Sequence, residues 1–304
     1  MKIGVMGAGA VGCYYGALLA KSGHGVTMVG RQPFVDAVTA DGLRLETARS
    51  DERVSVTATL DAALLGEADI VLLSVKSADT ETAGRAFAPY LRPGAAILTF
   101  QNGVDNADRL ASVLDRPVIP AVVYVAAGMI GPGHVRHNGR GDLIIGPAPQ
   151  SETIAAMFTA AGAPTTVSPE VREALWRKLI VNCAYNAMSA VAQISYGPLL
   201  AVDGVRNVMA DVVAECLAVG RAMGVALDEA DMVAVFSLAS TMPDQLSSTA
   251  QDMARRKPTE IDYINGYVCR MGRQFSIATP ANQTLHVLVK LMEASRAARP
   301  GRSE

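Results

Sequence analysis

In the stretch WRKLIVNCAYNAMSA, residues 176–190, polar side chains interrupt an apolar run at Arg177, Lys178, Asn182 and Asn186. On a helix a spacing of four sets Lys178, Asn182 and Asn186 nearly one above another, about 6 Å apart along the axis. Around them Leu179, Ile180, Val181, Cys183 and Ala184 leave little of the circumference for solvent. A lysine among apolar neighbours is desolvated, which disfavours its charged form and makes it a serviceable proton donor. The two amides beyond it could meet uncharged polar groups of a small ligand. Plainer roles are also open: Lys178 could run its stem along the surface to water, and the asparagines could satisfy buried backbone groups.

A second chemical feature is GAGAVG at residues 7–12, which satisfies G-x-G-x-x-G. Alone the pattern is weak, but here it follows an apolar strand and opens a helix, the context a dinucleotide fingerprint requires. Gly7 allows the tight turn, Gly9 lets a pyrophosphate approach the backbone, and Gly12 lets helix and strand pack closely. Gly7, Ala8, Gly9, Ala10, Val11 and Gly12 thus form a candidate cofactor loop, with free N–H groups at the helix start facing the phosphates. About 20 residues on, an NAD site would place Asp or Glu. This chain reads VTMVGR and offers Arg31 instead. A guanidinium suits a 2′-phosphate through paired charged hydrogen bonds, so NADPH is the expected cofactor. Lys76 in SVKSADT and Asn102 in TFQNGVDN follow further buried strands, and open α/β sheets bind ligands at such strand ends. Position alone leaves either one open to an ordinary surface or turn role.

These residues need elements to hold them. The first half alternates short strands, over 2–6, 26–29, 69–75, 96–100, 118–124 and 143–145, with helices over about 11–21, 80–90 and 152–161; 54–58 is a further candidate strand. That alternation predicts an α/β fold, a Rossmann-type, mainly parallel sheet covered on both faces. After SPE at 168–170 the period turns helical, over 170–191, 204–223, 228–239, 249–256, 260–273 and 280–295. The expected division is a dinucleotide-binding domain, 1–167, followed by an all-helical substrate and catalytic domain, 168–304. Its last residues, RAARPGRSE, are expected to fray.

With 304 residues, half of them apolar, the chain can bury a sizeable core. A formal net charge of -2 without long runs of one sign argues against nucleic acid or an acidic membrane as the main partner. The apolar runs DIVLLSV and AVVYVAAGMI are too short for a membrane span and no signal peptide opens the chain, so a cytoplasmic protein is expected. Cys13, Cys183, Cys216 and Cys269 lie far apart with no C-x-x-C pair, the pattern of free thiols rather than of disulfides or a metal site. His134 and His137 make an H-x-x-H in a glycine-rich loop without further clustered ligands, and no metal is expected there.

GAGAVGCYYGALLA, the VK of LLSVK, the QNG turn, WRKLIVNCAYN and SSTAQDMARRKPTEIDYING, in this order over nearly the whole chain, together resemble the ketopantoate reductase (2-dehydropantoate 2-reductase) family. The resemblance implies NADPH-dependent reduction of the ketone of 2-dehydropantoate to (R)-pantoate, on the route to pantothenate and coenzyme A. It matches Lys178 to the family's catalytic lysine and Glu260, in TEID, to its functional carboxylate. Asn102, Asn182, Asn186 and Ser248 match substrate-contacting positions, and Gly7, Gly9, Gly12, Arg31 and Lys76 match the cofactor side. Asp252 falls at a motif position without an assigned role. Some members hold the substrate's 4-hydroxyl with a further asparagine, whereas QISYGPLL offers Tyr196 near that place, where substrate choice would reside. On this reading the partner is a small keto acid. A different 2-keto acid on the same scaffold and a non-catalytic NADPH sensor are the alternatives, and a homodimer is left open. Lys178 would protonate the oxygen that gains charge when hydride adds, and Glu260 would hold the ammonium or accept from a substrate hydroxyl. Ser248, near a helix start, would meet the carboxylate.

Overall fold

Runs such as IVLL and AILT are apolar at every position, and they are stable as strands only where both faces are covered. They form the middle of a ten-stranded sheet in the computed structural model, which describes residues 1–297. Residues 298–304, most of the tail expected to fray, lie outside the described residues. In chain order the strands are β1 (Lys2–Met6), β2 (Gly25–Val29), β3 (Leu43–Glu46), β4 (Asp51–Val54), β5 (Thr57–Thr59), β6 (Ile70–Leu73), β7 (Ala96–Thr99), β8 (Ile119–Gly131), β9 (His134–Ile145) and β10 (Thr165–Val167). Alternate residues of β6 serve two cores: Ile70 and Leu72 join Ile3, Tyr15, Phe100 and Phe158, while Val71 and Leu73 join Leu65, Phe87, Ile97 and Leu110. The sheet is therefore covered on both sides, as its apolar strands require.

Helices α1 (Ala10–Lys21), α2 (Gln32–Asp41), α3 (Thr80–Phe87), α4 (Asn106–Leu114) and α5 (Ser151–Ala160) belong to the same compact unit, residues 1–174. The strand order is β4-β3-β9-β8-β7-β6-β1-β2-β5, with β10 beside β9. Pairing is parallel except between β3 and β4 and between β8 and β9. From β1 the chain winds outward to β2 and β5. It then returns to β6 on the other side of β1 and winds the opposite way through β7 and β8. The order reverses between β1 and β6, where open sheets of this type leave a crevice at the carboxyl ends of the strands.

Two expectations are corrected in this unit. The candidate strand over 54–58 is two strands, and β4 and β5 occupy opposite ends of the sheet although only Ser55 and Val56 separate them. So short a link brings the two edges near each other, and the sheet curls. His134 and His137 are not in a loop: both lie on β9, where antiparallel pairing with β8 extends the hairpin through GMIGPGHVRHNG. His134 Nε2 lies 2.9 Å from Glu46 Oε2 and the His137 ring stacks on Tyr14, so each histidine has a structural partner. Period-2 alternation is weak there because glycines recur, and this hid the strands.

The second unit, residues 175–304, holds most of α6 (Val171–Ala192) and then α7 (Tyr196–Ala201), α8 (Val205–Ala222), α9 (Ala230–Thr241), α10 (Ser248–Ala254), α11 (Asn265–Gln274) and α12 (Pro280–Ala297). The division falls inside α6 rather than near Val167. Its first turn stays with the sheet unit, where Val171 packs on Gly146. The helix expected over 260–273 is a 3-10 turn, Ile261–Tyr263, followed by α11. The four cysteines are free and buried, and burial pushes the Cys13 thiol up to about 12. Among the described residues, no helix is long and apolar enough to cross a membrane, and no three His, Cys, Asp or Glu residues gather as a metal ion would require.

Candidate active site

In the sheet unit the candidate residues stand at the carboxyl ends of four adjacent strands, β7, β6, β1 and β2. Two glycines of the loop after β1 are enforced by packing. A Cβ on Gly12 would lie 2.3 Å from Gly7 O and 2.4 Å from Ser74 Oγ. One on Gly7, whose φ is 110°, would lie 2.7 Å from Val75 N. Gly9 differs: a Cβ there would meet nothing nearer than Ser74 O at 4.0 Å, so the space above it is open. α1 starts at Ala10 with Gly9 as its cap residue and no side-chain cap, which leaves its first N–H groups for an anion. Ala10 and Val11 pack on the sheet core, and Ser74 Oγ donates to Gly7 O at 2.7 Å, fixing the loop to the end of β6.

Arg31 is exposed just beyond β2, in extended backbone at the residue that caps α2. Gly30 brings this strand end against the glycine loop, since a Cβ there would sit 2.9 Å from the Ala8 methyl and 2.4 Å from the Phe34 ring. Lys76 is half-buried and precedes a 3-10 turn, Ser77–Asp79. Asn102 follows β7, and its carbonyl accepts from Ser77 Oγ at 2.8 Å and from Asn106 Nδ2 at 2.7 Å. The Lys76 and Asn102 loops are thereby tied together.

Sequence reasoning missed the residues that make this tie. Thr80 Oγ1 lies 3.0 Å from Ser77 O and 3.1 Å from Asn106 Oδ1, and it accepts from Gln101 Nε2 at 2.8 Å. Arg109 donates to Ser77 O at 2.8 Å and pairs with both oxygens of Glu81, holding that carboxyl below its usual range. The available signal was the second asparagine of QNGVDN, four residues after Asn102 and so able to turn back on it.

In the helical unit Lys178 and Asn182 are half-buried on α6 and Asn186 is 1% exposed. Leu179, Ile180, Cys183 and Ala184 beside them are fully buried. Two distant segments dock on this helix. Asn265 Nδ2, from the end of TEIDYING, donates to Cys183 O at 3.1 Å across 82 residues of sequence. Ser247 Oγ, from SSTAQD, donates to Asn186 O at 3.2 Å across 61 residues, while Ser247 N donates to Ser189 Oγ at 3.3 Å. The blocks around Ser248 and Glu260 are thus brought to the stripe.

Ser247 also caps α10 by accepting from Ala250 N at 3.0 Å, and Ser248 is exposed in the first turn. Glu260 is 8% exposed and precedes the 3-10 turn rather than sitting in a helix. Asp252 is half-buried on α10. Asn186 Nδ2 is buried without a hydrogen-bond partner among the described residues. Such a donor costs about 1–3 kcal/mol, so its retention on a candidate site calls for a ligand to meet it. Tyr196 is 7% exposed, its ring centroid 4.5 Å from that of Tyr185 and its backbone N donating to Gln245 O. Burial pushes its phenol up, and the ring is packed rather than open to solvent.

Residues 3–150 match the family described as ketopantoate reductase PanE/ApbA, and residues 170–293 match its C-terminal counterpart. A 2-dehydropantoate 2-reductase of Vibrio cholerae is 34% identical over 97% of this chain and 99% of its own length. One from Halobacterium salinarum is 33% identical over 96% and 99%. A crystal structure of a PanE/ApbA family ketopantoate reductase from Ralstonia eutropha JMP134 is 52% identical, with a TM-score of 0.95 over 98% of this chain and all of that one. The strand-end loops and the polar stripe of α6 thus lie within a likeness that spans both units, and the chain belongs to the ketopantoate reductase family.

Proposed function

We propose that this protein reduces the ketone of 2-dehydropantoate to (R)-pantoate with NADPH, Lys178 delivering the proton. The observation that carries the reading is the stripe on α6: a half-buried amine followed by two amides, the last a buried donor without a partner. When bound, the reduced nicotinamide supplies hydride to the ketone carbon. The residues that would hold the cofactor fit it, because the open space over Gly9 and the uncapped start of α1 accept a pyrophosphate. Arg31, exposed beside that loop, supplies a guanidinium suited to a 2′-phosphate, and Lys76 and Asn102 border the adjoining strand ends.

Lys178 Nζ gives its proton to the ketone oxygen, so that oxygen never bears a full charge. Asn182 and Asn186, about 6 and 12 Å further along the helix, bind the hydroxyl and carboxylate end of a short keto acid. Ser248 contributes a hydroxyl at the same end. Glu260 holds the lysine amine in line or accepts from a substrate hydroxyl. Following NADPH oxidation at its near-ultraviolet absorbance, with and without ketopantoate, tests the reading. Rapid substrate-dependent oxidation that NADH supports poorly is expected. Tight NADPH binding without turnover of any 2-keto acid would overturn it. Equal efficiency on acids lacking the 4-hydroxyl would favour a broader 2-keto acid reductase, for which the packed ring at Tyr196 is the motivating observation.

A further inference from the structure

Glu260 is carried by a short segment with few hydrogen bonds of its own. The 3-10 turn Ile261–Tyr263 after it has three residues, closed by Tyr263 N to Glu260 O at 2.9 Å and by two longer bonds, Ile264 N to Ile261 O and Ile261 N to Thr259 Oγ1, each at 3.3 Å. Most of the side-chain bonds that hold this segment from outside come from α12. Thr259, on one side of Glu260, donates its backbone N and its Oγ1 to Glu293 Oε1 at 2.8 and 2.7 Å. Asp262, on the other side, meets His286 Nε2 at 2.6 Å on one oxygen and Lys290 Nζ at 2.9 Å on the other. Lys290 also lies 3.0 Å from Glu293 Oε2, which joins the two grips into one network.

His286, Lys290 and Glu293 are spaced by four and then three, so they share one face of α12. Room for the imidazole is built in. A Cβ at Gly266, the glycine of the ING that follows TEID, would lie 2.9 Å from His286 Nε2 and 3.1 Å from Ile261 O. Arg270 adds a bond from Nη1 to Asp262 O at 2.6 Å. Glu260 is only 8% exposed, and the backbone of 259–262 sets the point from which its carboxylate reaches the site.

We infer that the α12 face of His286, Lys290 and Glu293 is a clamp that positions Glu260, with Glu293 on Thr259 as its principal grip; the inference rests on the function proposed above. Misplacement by about 1 Å can cost on the order of 10²-fold in rate, so losing the grip should show in turnover. Glu293→Ala should lower kcat by roughly 10–100-fold with the NADPH Kd unchanged. Glu293→Gln keeps an acceptor for Thr259 and should recover most of the loss. If Glu293 acts through Glu260, adding Glu293→Ala to Glu260→Gln should cost nothing beyond Glu260→Gln alone. Thr259→Val, which removes the Oγ1 bond to Glu293 and the longer one accepted from Ile261 N but keeps the backbone bond to Glu293, covers the case in which Glu293→Ala does not fold, and a several-fold loss of kcat is expected of it. Wild-type kcat in Glu293→Ala or Thr259→Val, or losses that multiply in the double variant, would overturn the clamp while wild-type turnover and its loss in Lys178→Ala leave the proposed function standing. An inactive wild-type enzyme would instead remove the proposed function and the clamp's role with it.

Discussion

In the sheet unit the candidate residues would act mostly through backbone. Gly7 and Gly12 are fixed because any added carbon would collide with Val75, Ser74 or the loop itself, and the anion site proposed over Gly9 would consist of peptide N–H groups. In the helical unit the candidate residues would act through side chains: an amine and two amides on α6, and the Glu260 carboxylate on a segment held by α12. The first arrangement is unforgiving of atoms added to glycine and tolerant elsewhere. The second is sensitive to each functional group and to partners far away in sequence. Cofactor affinity and chemical rate should therefore separate when the two regions are altered in turn.

The largest effect should come from Lys178→Ala. It should lose about 10²–10⁴-fold in rate, the share of a positioned general acid. That corresponds to roughly 3–5 kcal/mol of transition-state stabilisation, with NADPH affinity retained. A variant with unchanged turnover would remove Lys178 from the mechanism. Arg31→Ala should do the reverse, weakening NADPH by about 10–100-fold as a charged hydrogen bond worth roughly 1.5–3 kcal/mol is lost, with NADH affinity unaltered. Equal losses for both cofactors would show that Arg31 does not read the 2′-phosphate.

Gly12→Ala places a methyl carbon 2.3 Å from Gly7 O. Overpacking of this kind costs about 1–3 kcal/mol and should appear as a lower Tm together with a raised NADPH Kd. Asn186→Leu sharpens the contrast from the other side. It removes a buried donor without a partner, so thermal stability should hold or rise while KM for the keto acid increases. A fall in Tm with KM unchanged would make Asn186 a structural residue.

The smallest effect is on the acid limb of stability. The hydrogen bond from His286, with lesser help from Lys290, lowers the Asp262 carboxyl from 3.8 to about 2. A folded value below the unfolded one means that this contribution is complete above about 3.8 and is lost as pH falls through 2. Asp262 is 44% exposed, so solvent screens the pair and the gain is modest. Asp262→Asn should flatten the acid-side fall of stability between those values in urea titrations.

The fold class was legible because its signals are local. IVLL and AILT are apolar throughout, GAGAVG sits between a strand and a helix, and the period of 171–192 is unbroken over 22 residues. Where glycines interrupt the alternation, as in β8 and β9, the same reasoning saw a loop. Where two residues separate strands at opposite sheet edges, as between β4 and β5, it saw one strand. The glycine loop and the Lys178 stripe were found from residue type and spacing alone. The tie of Ser77, Thr80, Asn106 and Arg109 and the face of His286, Lys290 and Glu293 were not, since each reads as an ordinary polar helix surface.

By itself the amino-acid sequence determined which chemical groups this protein can bring to a reaction and the local form of the loop and helix that carry them. Steric exclusion at glycine and a rise of 1.5 Å per residue act over a few neighbours and need no distant partner. Only the tertiary structure decided which of those groups meet: Ser247 with Asn186 across 61 residues, Asn265 with Cys183 across 82, and α12 with both sides of Glu260. Those meetings depend on how helices without a shared sequence pattern satisfy one another's buried polar atoms, and that is a property of the assembled core.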